Sequence, residues 1–190
     1  MSNYIRRRSA GGTFFFTIRL ADRNSDLLVR RIADLRRAMR DTKHKHAFEI
    51  EAIVVLPSVI QTIWTLPEGV TDYPNRVGML KTKFSRSQPM PLHRTVTQIR
   101  RGEKGIWQRR YWEHQIRDEA DFARHRDLIY QSPVHAGLCP TPQDWPHTSL
   151  HRDLIKGTMT PAPIGHGAAR LHLTPIPPAH RYRDDIQRVM

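Results

Sequence analysis

Cysteine is all but missing from this chain: Cys139 is the only one in 190 residues. A lone thiol excludes an intrachain disulfide and any Cys-x-x-Cys zinc site, and a cytoplasmic setting is expected. Long apolar runs are missing too. None approaches the roughly 20 residues that span a bilayer, and the N-terminal stretch Met1–Arg8 lacks the apolar segment of a signal peptide. No membrane association is therefore expected. Acidic residues are scarce, with 18 Asp and Glu against 31 Lys and Arg, a net charge of +13. An excess of one sign this large points to a polyanionic partner, because phosphates attract Lys and Arg and release counterions on contact. Hydrophobic residues make up 38% of the chain. The core should be modest and part of the chain loose. The length suits one compact domain plus extensions.

Aromatic and β-branched residues in Thr13–Leu20 predict a buried strand. Leu28, Ile32, Leu35 and Met39 recur at helical spacing, which predicts one amphipathic helix from Leu27 to about Lys45. Phe48–Leu56 and Val59–Leu66 read as neighbouring strands broken by Pro57-Ser58. A second helix runs from near Tyr73 to Ser87, with Val77, Leu80 and Phe84 inward and Lys81, Lys83 and Arg86 on its outer side. Pro89–Gly105 reads as a basic loop, and Ile106–Arg117 as a fourth strand with arginines and aromatics interleaved. Asp118 is a good N-cap for a third helix, which should stop before Pro133. The order predicts an α+β fold: a ferredoxin-like antiparallel sheet with helices packed on one face. Residues 1–155 form the domain. Residues 156–190 form a Pro-rich C-terminal extension, extended or disordered.

Several ordered segments carry a family resemblance. They are Gly11–Thr17, Val54–Pro57, Ile63–Gly69, Gly105–His114, Ile116–Phe122 and Pro133-Val134, with Asp144-Trp145-Pro146 followed by Ser149. Together they resemble the REP-associated tyrosine transposases, over roughly residues 3–152. The resemblance implies recognition of palindromic, hairpin-forming DNA repeats. It also implies a His-hydrophobic-His pair that binds a divalent metal, a helical tyrosine that attacks a DNA phosphate, and an Asn four residues later. In that chemistry the metal polarises the phosphate, and the tyrosine splits strand transfer into two displacements through a covalent intermediate.

The positions that match those four residues hold others. Val59 and Gln61 stand where the histidines are expected, Leu128 stands at the nucleophile and Ser132 at the Asn. Tyr130 is a fallback nucleophile. It lies about 200° around the helix from position 128, so it should point away from the site, at the helix surface or partly buried. No cofactor is expected, with Mg²⁺ or Mn²⁺ needed only if catalysis persists. The residues expected to touch nucleic acid are Arg6, Arg7, Arg8, Gly11, Gly12, Thr13, Lys81, Lys83, Arg86, Trp107, Arg109 and Arg110. Cations and rings together can clamp single-stranded or hairpin DNA. Three readings stand at this point: a DNA-binding protein that does not cut, an active transposase with a rearranged site, and an RNA-binding or structural module. Either a monomer or a homodimer fits.

Overall fold

A computed structural model of the chain describes residues 11–91 and 94–157. Four strands, β1 (Thr13–Arg19), β2 (Glu49–Val55), β3 (Val59–Thr65) and β4 (Trp112–Gln115), form one antiparallel sheet in the order β2-β3-β1-β4. The helices are α1 (Leu27–Arg30), α2 (Ile32–Lys45), α3 (Tyr73–Arg86), α4 (Val96–Arg100), α5 (Glu119–His135) and α6 (Leu150–Ile155). The expected ferredoxin-like α+β architecture is present. The chain divides after Thr158. Of the extension expected over residues 156–190, all beyond Gly157 lies outside the described residues.

Both faces of the sheet are covered, where helices were expected on one face only: α2 and α3 pack on one side and α5 on the other. On β1, Phe14, Phe16 and Ile18 point into a core with Leu35, Ala38 and Met39 of α2 and Val77, Leu80 and Phe84 of α3. Phe15 and Thr17 alternate to the opposite face and are buried as well, because α5 lies over them. The uninterrupted apolar run of β1 follows from having two faces to fill. Emptying the α2–α3 side by Phe16→Ala would cost about 3–5 kcal/mol.

Four local expectations differ from the structure. The single helix expected over residues 27–45 breaks at Arg31, whose φ and ψ are −113° and 34°. Its first turn is anchored separately: Leu28 is fully buried and its N–H donates to the Pro57 carbonyl at 3.2 Å. The basic loop contains α4, which starts with a reciprocal cap. The Gln98 N–H donates to Thr95 Oγ1 and the Thr95 N–H to Gln98 Oε1. That Thr-x-x-Gln spacing is legible in the sequence.

The fourth strand is shorter than expected. Only Trp112–Gln115 pairs continuously with β1, while Trp107 touches Leu20 through an isolated bridge. Between them the Gln108 N–H still donates to the Arg19 carbonyl at 3.0 Å, while the Gln108 and Arg109 carbonyls accept from the Lys81 ammonium at 2.9 and 3.3 Å. Finally, α5 continues through Pro133 to His135. Proline disfavours helical backbone in the residue before it. Here that residue is Ser132, whose one hydroxyl proton is shared between the Leu128 carbonyl (2.6 Å) and Gln61 Oε1.

The Trp145–Ser149 segment stitches onto the edge strand β2. The Trp145 indole donates to the Val55 carbonyl at 3.0 Å, the Val55 N–H to the His147 carbonyl at 2.8 Å, and the Ile53 N–H to Ser149 Oγ at 2.9 Å. An open strand edge is a template for unwanted pairing, and this segment with the Arg152 guanidinium on the Ile50 and Glu51 carbonyls closes it.

Candidate nucleic-acid interface

Val59 and Gln61 sit on β3, facing α5, where β1 pairs with them through Arg19 and Thr17. Leu128 and Ser132 lie one turn apart on α5. Folding thus gathers on one side of the sheet the four positions where the resemblance places the metal ligands and the nucleophile. Gln61 and Ser132 meet there in a buried hydrogen bond. A divalent cation does not fit this group. Val59 and Leu128 carry no donor atom, and the one side-chain oxygen of Gln61 already accepts from Ser132. Two imidazoles are not replaced by that set.

Tyr130 departs from expectation. It is 3% exposed, against the surface or partly buried position expected. Its hydroxyl donates to Asp153 Oδ2 and lies 3.2 Å from Ser149 Oγ, so it points to α6. Burial, then the hydrogen bond to the Asp153 carboxylate, pushes its pKa up to about 12. A hydroxyl so placed fastens α6 to α5, and its phenolate is suppressed.

The residues expected to touch nucleic acid separate into groups. Arg6, Arg7 and Arg8 lie outside the described residues. Gly11 and Gly12 are needed within the fold. Gly11 has φ +69°, and a Cβ there would come within 2.9 Å of the Glu68 Cα. A Cβ on Gly12 would meet the Phe14 ring at 2.9 Å. Thr13 shares a hydroxyl–hydroxyl bond of 3.0 Å with Thr65.

Lys81, expected on the outer side of its helix, turns inward. Besides its two carbonyls it lies 5.2 Å from the Tyr111 ring centroid, and burial brings its pKa down to about 8. Trp107 packs edge-on against Phe84 and donates to the Lys81 carbonyl at 3.1 Å, so that ring serves the core. Lys83 and Arg86 do face outward. With Lys45, His46, Asn75 and Thr82 they line a groove of about 550 Å³ between α2 and α3. Lys83 also pairs with Asp41 at 3.7 Å. Arg109 and Arg110 are exposed just ahead of β4.

One cluster escaped the sequence reading. Asp121, 4% exposed, accepts from the Arg117 N–H at 3.1 Å and from Arg124 at 3.1 Å. His114 Nε2 is 2.8 Å from Asp121 Oδ2, and His125 Nδ1 is 3.2 Å from Oδ1. Burial raises the Asp121 pKa, but the hydrogen bonds from His114 and Arg117 and the nearby imidazoles outweigh it and bring it down to about 2. The two imidazoles stack at 4.6 Å with planes 17° apart. The ligand atoms of the three lie within 4.8 Å of one another, but His125 Nδ1 donates to the Asp121 backbone carbonyl at 2.8 Å and so has no lone pair free for an ion. The trio is a hydrogen-bonded support. A signal did exist: Asp121 and His125 are four apart on a helix, with His114 on the neighbouring strand.

Three comparisons place this geometry. A Haemophilus influenzae protein named as a REP-associated tyrosine transposase is 42% identical over 166 residues, covering 87% of this chain and 94% of its own length. The REP-associated tyrosine transposase of Escherichia coli K12 is 41% identical over 157 residues, covering 83% and 87%. The chain belongs to the REP-associated tyrosine transposase family. A solved structure of a REP-associated tyrosine transposase bound to a REP hairpin superposes with a TM-score of 0.72 at 40% identity, covering 84% of this chain and 89% of that one. No protein-family model matches. Among the described residues, no helix is long and apolar enough to cross a membrane. The segments that carry the resemblance in the sequence fall in or beside β1, β2, β3, β4 and α5, and Asp144–Ser149 closes the β2 edge.

Proposed function

We propose that this family member grips hairpin or single-stranded repeat DNA in the cytoplasm without cutting it, and takes no metal or other cofactor. The observation that carries this reading is the buried Gln61–Ser132 hydrogen bond. It occupies two positions where the family is expected to hold a cation, while Leu128 supplies no nucleophile. The DNA half of the reading is supported by the net charge of +13, by the relative bound to a REP hairpin, and by the outward cations Arg86, Arg109 and Arg110. The active-enzyme reading needs Tyr130, and its hydroxyl is committed to Asp153.

Two measurements test the proposal. Fluorescence anisotropy with a labelled DNA hairpin should show binding that weakens steeply with salt, with each phosphate contact adding about 0.7–0.9 to the log–log slope. Incubation of the same hairpin with Mg²⁺ or Mn²⁺, run on a denaturing gel, should leave the DNA intact and free of protein. A covalent adduct overturns the non-cutting half. Absence of salt-sensitive binding overturns the DNA half, and tighter binding to the matching RNA hairpin redirects it.

A further inference from the structure

Trp112 is the one exposed Phe, Tyr or Trp among the described residues, at 45%, and it is not isolated. Its ring lies parallel to that of His114, with planes 6° apart and centroids at 5.8 Å. The His114 ring stacks on His125, which in turn packs against Phe15 at 4.9 Å, and Phe15 meets Trp112 edge-on at 5.5 Å. Four rings therefore form a closed cluster on the α5 side of the sheet, and only Trp112 is exposed. Asp121 fixes both imidazoles from below. A large ring left in water costs free energy unless something covers it, and this one is held in a single orientation by the rings behind it.

The surroundings say what covers it. Arg109 and Arg110 are exposed immediately before β4, and Arg117 immediately after it. The Arg124 guanidinium, whose side chain is 64% exposed, ends on the same Asp121 carboxylate that holds His114. An oriented, exposed ring on a strand flanked by exposed arginines suits a base with its phosphates. A paired base inside a stem has both faces covered by its neighbours, which leaves an unpaired base or the open face of the terminal pair to stack here, and the blunt hairpin separates the two.

We propose that Trp112 is the stacking platform for one unpaired nucleobase next to a DNA hairpin, with His114, His125 and Asp121 as the positioning residues that hold it. This deepens the DNA-binding reading and rests on it.

The test uses the full chain and two probes with the same stem-loop. One is a blunt hairpin; the other carries a single-stranded extension of about four nucleotides with 2-aminopurine in it. Wild-type protein should bind the extended probe more tightly and quench the 2-aminopurine. Trp112→Ala should lose roughly tenfold in affinity for the extended probe, within the range known for one stacked base, and lose the quenching. Its affinity for the blunt hairpin should equal wild type, which also shows that the variant folds. Trp112→Phe should keep part of both signals. Equal weakening on both probes, or no change on either, overturns the stacking assignment. Wild-type failure to bind both probes overturns the DNA-binding reading itself, and the subsite with it.

Discussion

Tyr130 and Asp121 show how a residue type that signals chemistry can serve the fold instead. Removing the Tyr130 hydroxyl leaves the Asp153 carboxylate, 8% exposed, without one of its donors. Tyr130→Phe should therefore lower stability by about 1–3 kcal/mol, read from urea midpoints, while leaving hairpin affinity unchanged. A loss of affinity with stability intact would return Tyr130 to the binding machinery. For Asp121 the sign follows from its pKa of about 2 in the fold against 3.8 ordinarily. The unfolded chain binds the proton more readily, so the stabilisation is complete above about pH 4 and is lost as pH falls toward 2. It should amount to order 1 kcal/mol. Urea midpoints at pH 6 and pH 2.5 would show it, and Asp121→Asn should flatten the difference. The burial of Tyr130 was not legible in the sequence, because its partners Ser149 and Asp153 come from a segment packed on α5 only by tertiary folding.

At the scale of elements, α3 carries two functions on two faces. The helical period correctly placed Val77, Leu80 and Phe84 inward and Lys83 and Arg86 outward. It misplaced Lys81, because a long side chain can reach back over its own helix to the carbonyls ahead of β4. Lys81→Met should leave the Gln108 and Arg109 carbonyls without that donor, cost about 1–2 kcal/mol and leave the salt dependence of DNA binding unchanged. Arg86→Ala should do the reverse: stability within about 0.5 kcal/mol, weaker binding, and a salt slope smaller by about 0.7–0.9. If Lys81→Met alone flattens the slope, the assignment of faces is wrong. The other elements show the same division. Strong periodicity and the Asp118 cap located β1, β3 and the start of α5. The break at Arg31 and the passage through Pro133 depend on contacts with Pro57 and Gln61, which are distant in sequence and carry no local signal.

At the scale of the whole molecule, the fold draws chiefly on residues other than the four positions where the family's catalytic residues are expected. The sheet is held by alternating apolar side chains, the edge by Trp145 and Ser149, and α5 by Ile129, Tyr130 and Ser132. At those four positions stand groups that satisfy one another or need no partner. That separation can be run backwards. Val59→His, Gln61→His, Leu128→Tyr and Ser132→Asn together should restore a metal site and a nucleophile on an intact frame. Incubated with Mn²⁺ and a cognate hairpin, the fourfold variant should give a protein–DNA adduct that resists denaturant, absent without metal. Single changes should not. Gln61→His alone leaves Ser132 with only the Leu128 carbonyl to donate to, and Ser132→Asn alone places a bulkier amide against Gln61, so these two effects couple strongly instead of adding. A stable fourfold variant that binds Mn²⁺ but forms no adduct would show that more than these four positions separates this chain from a cutting enzyme.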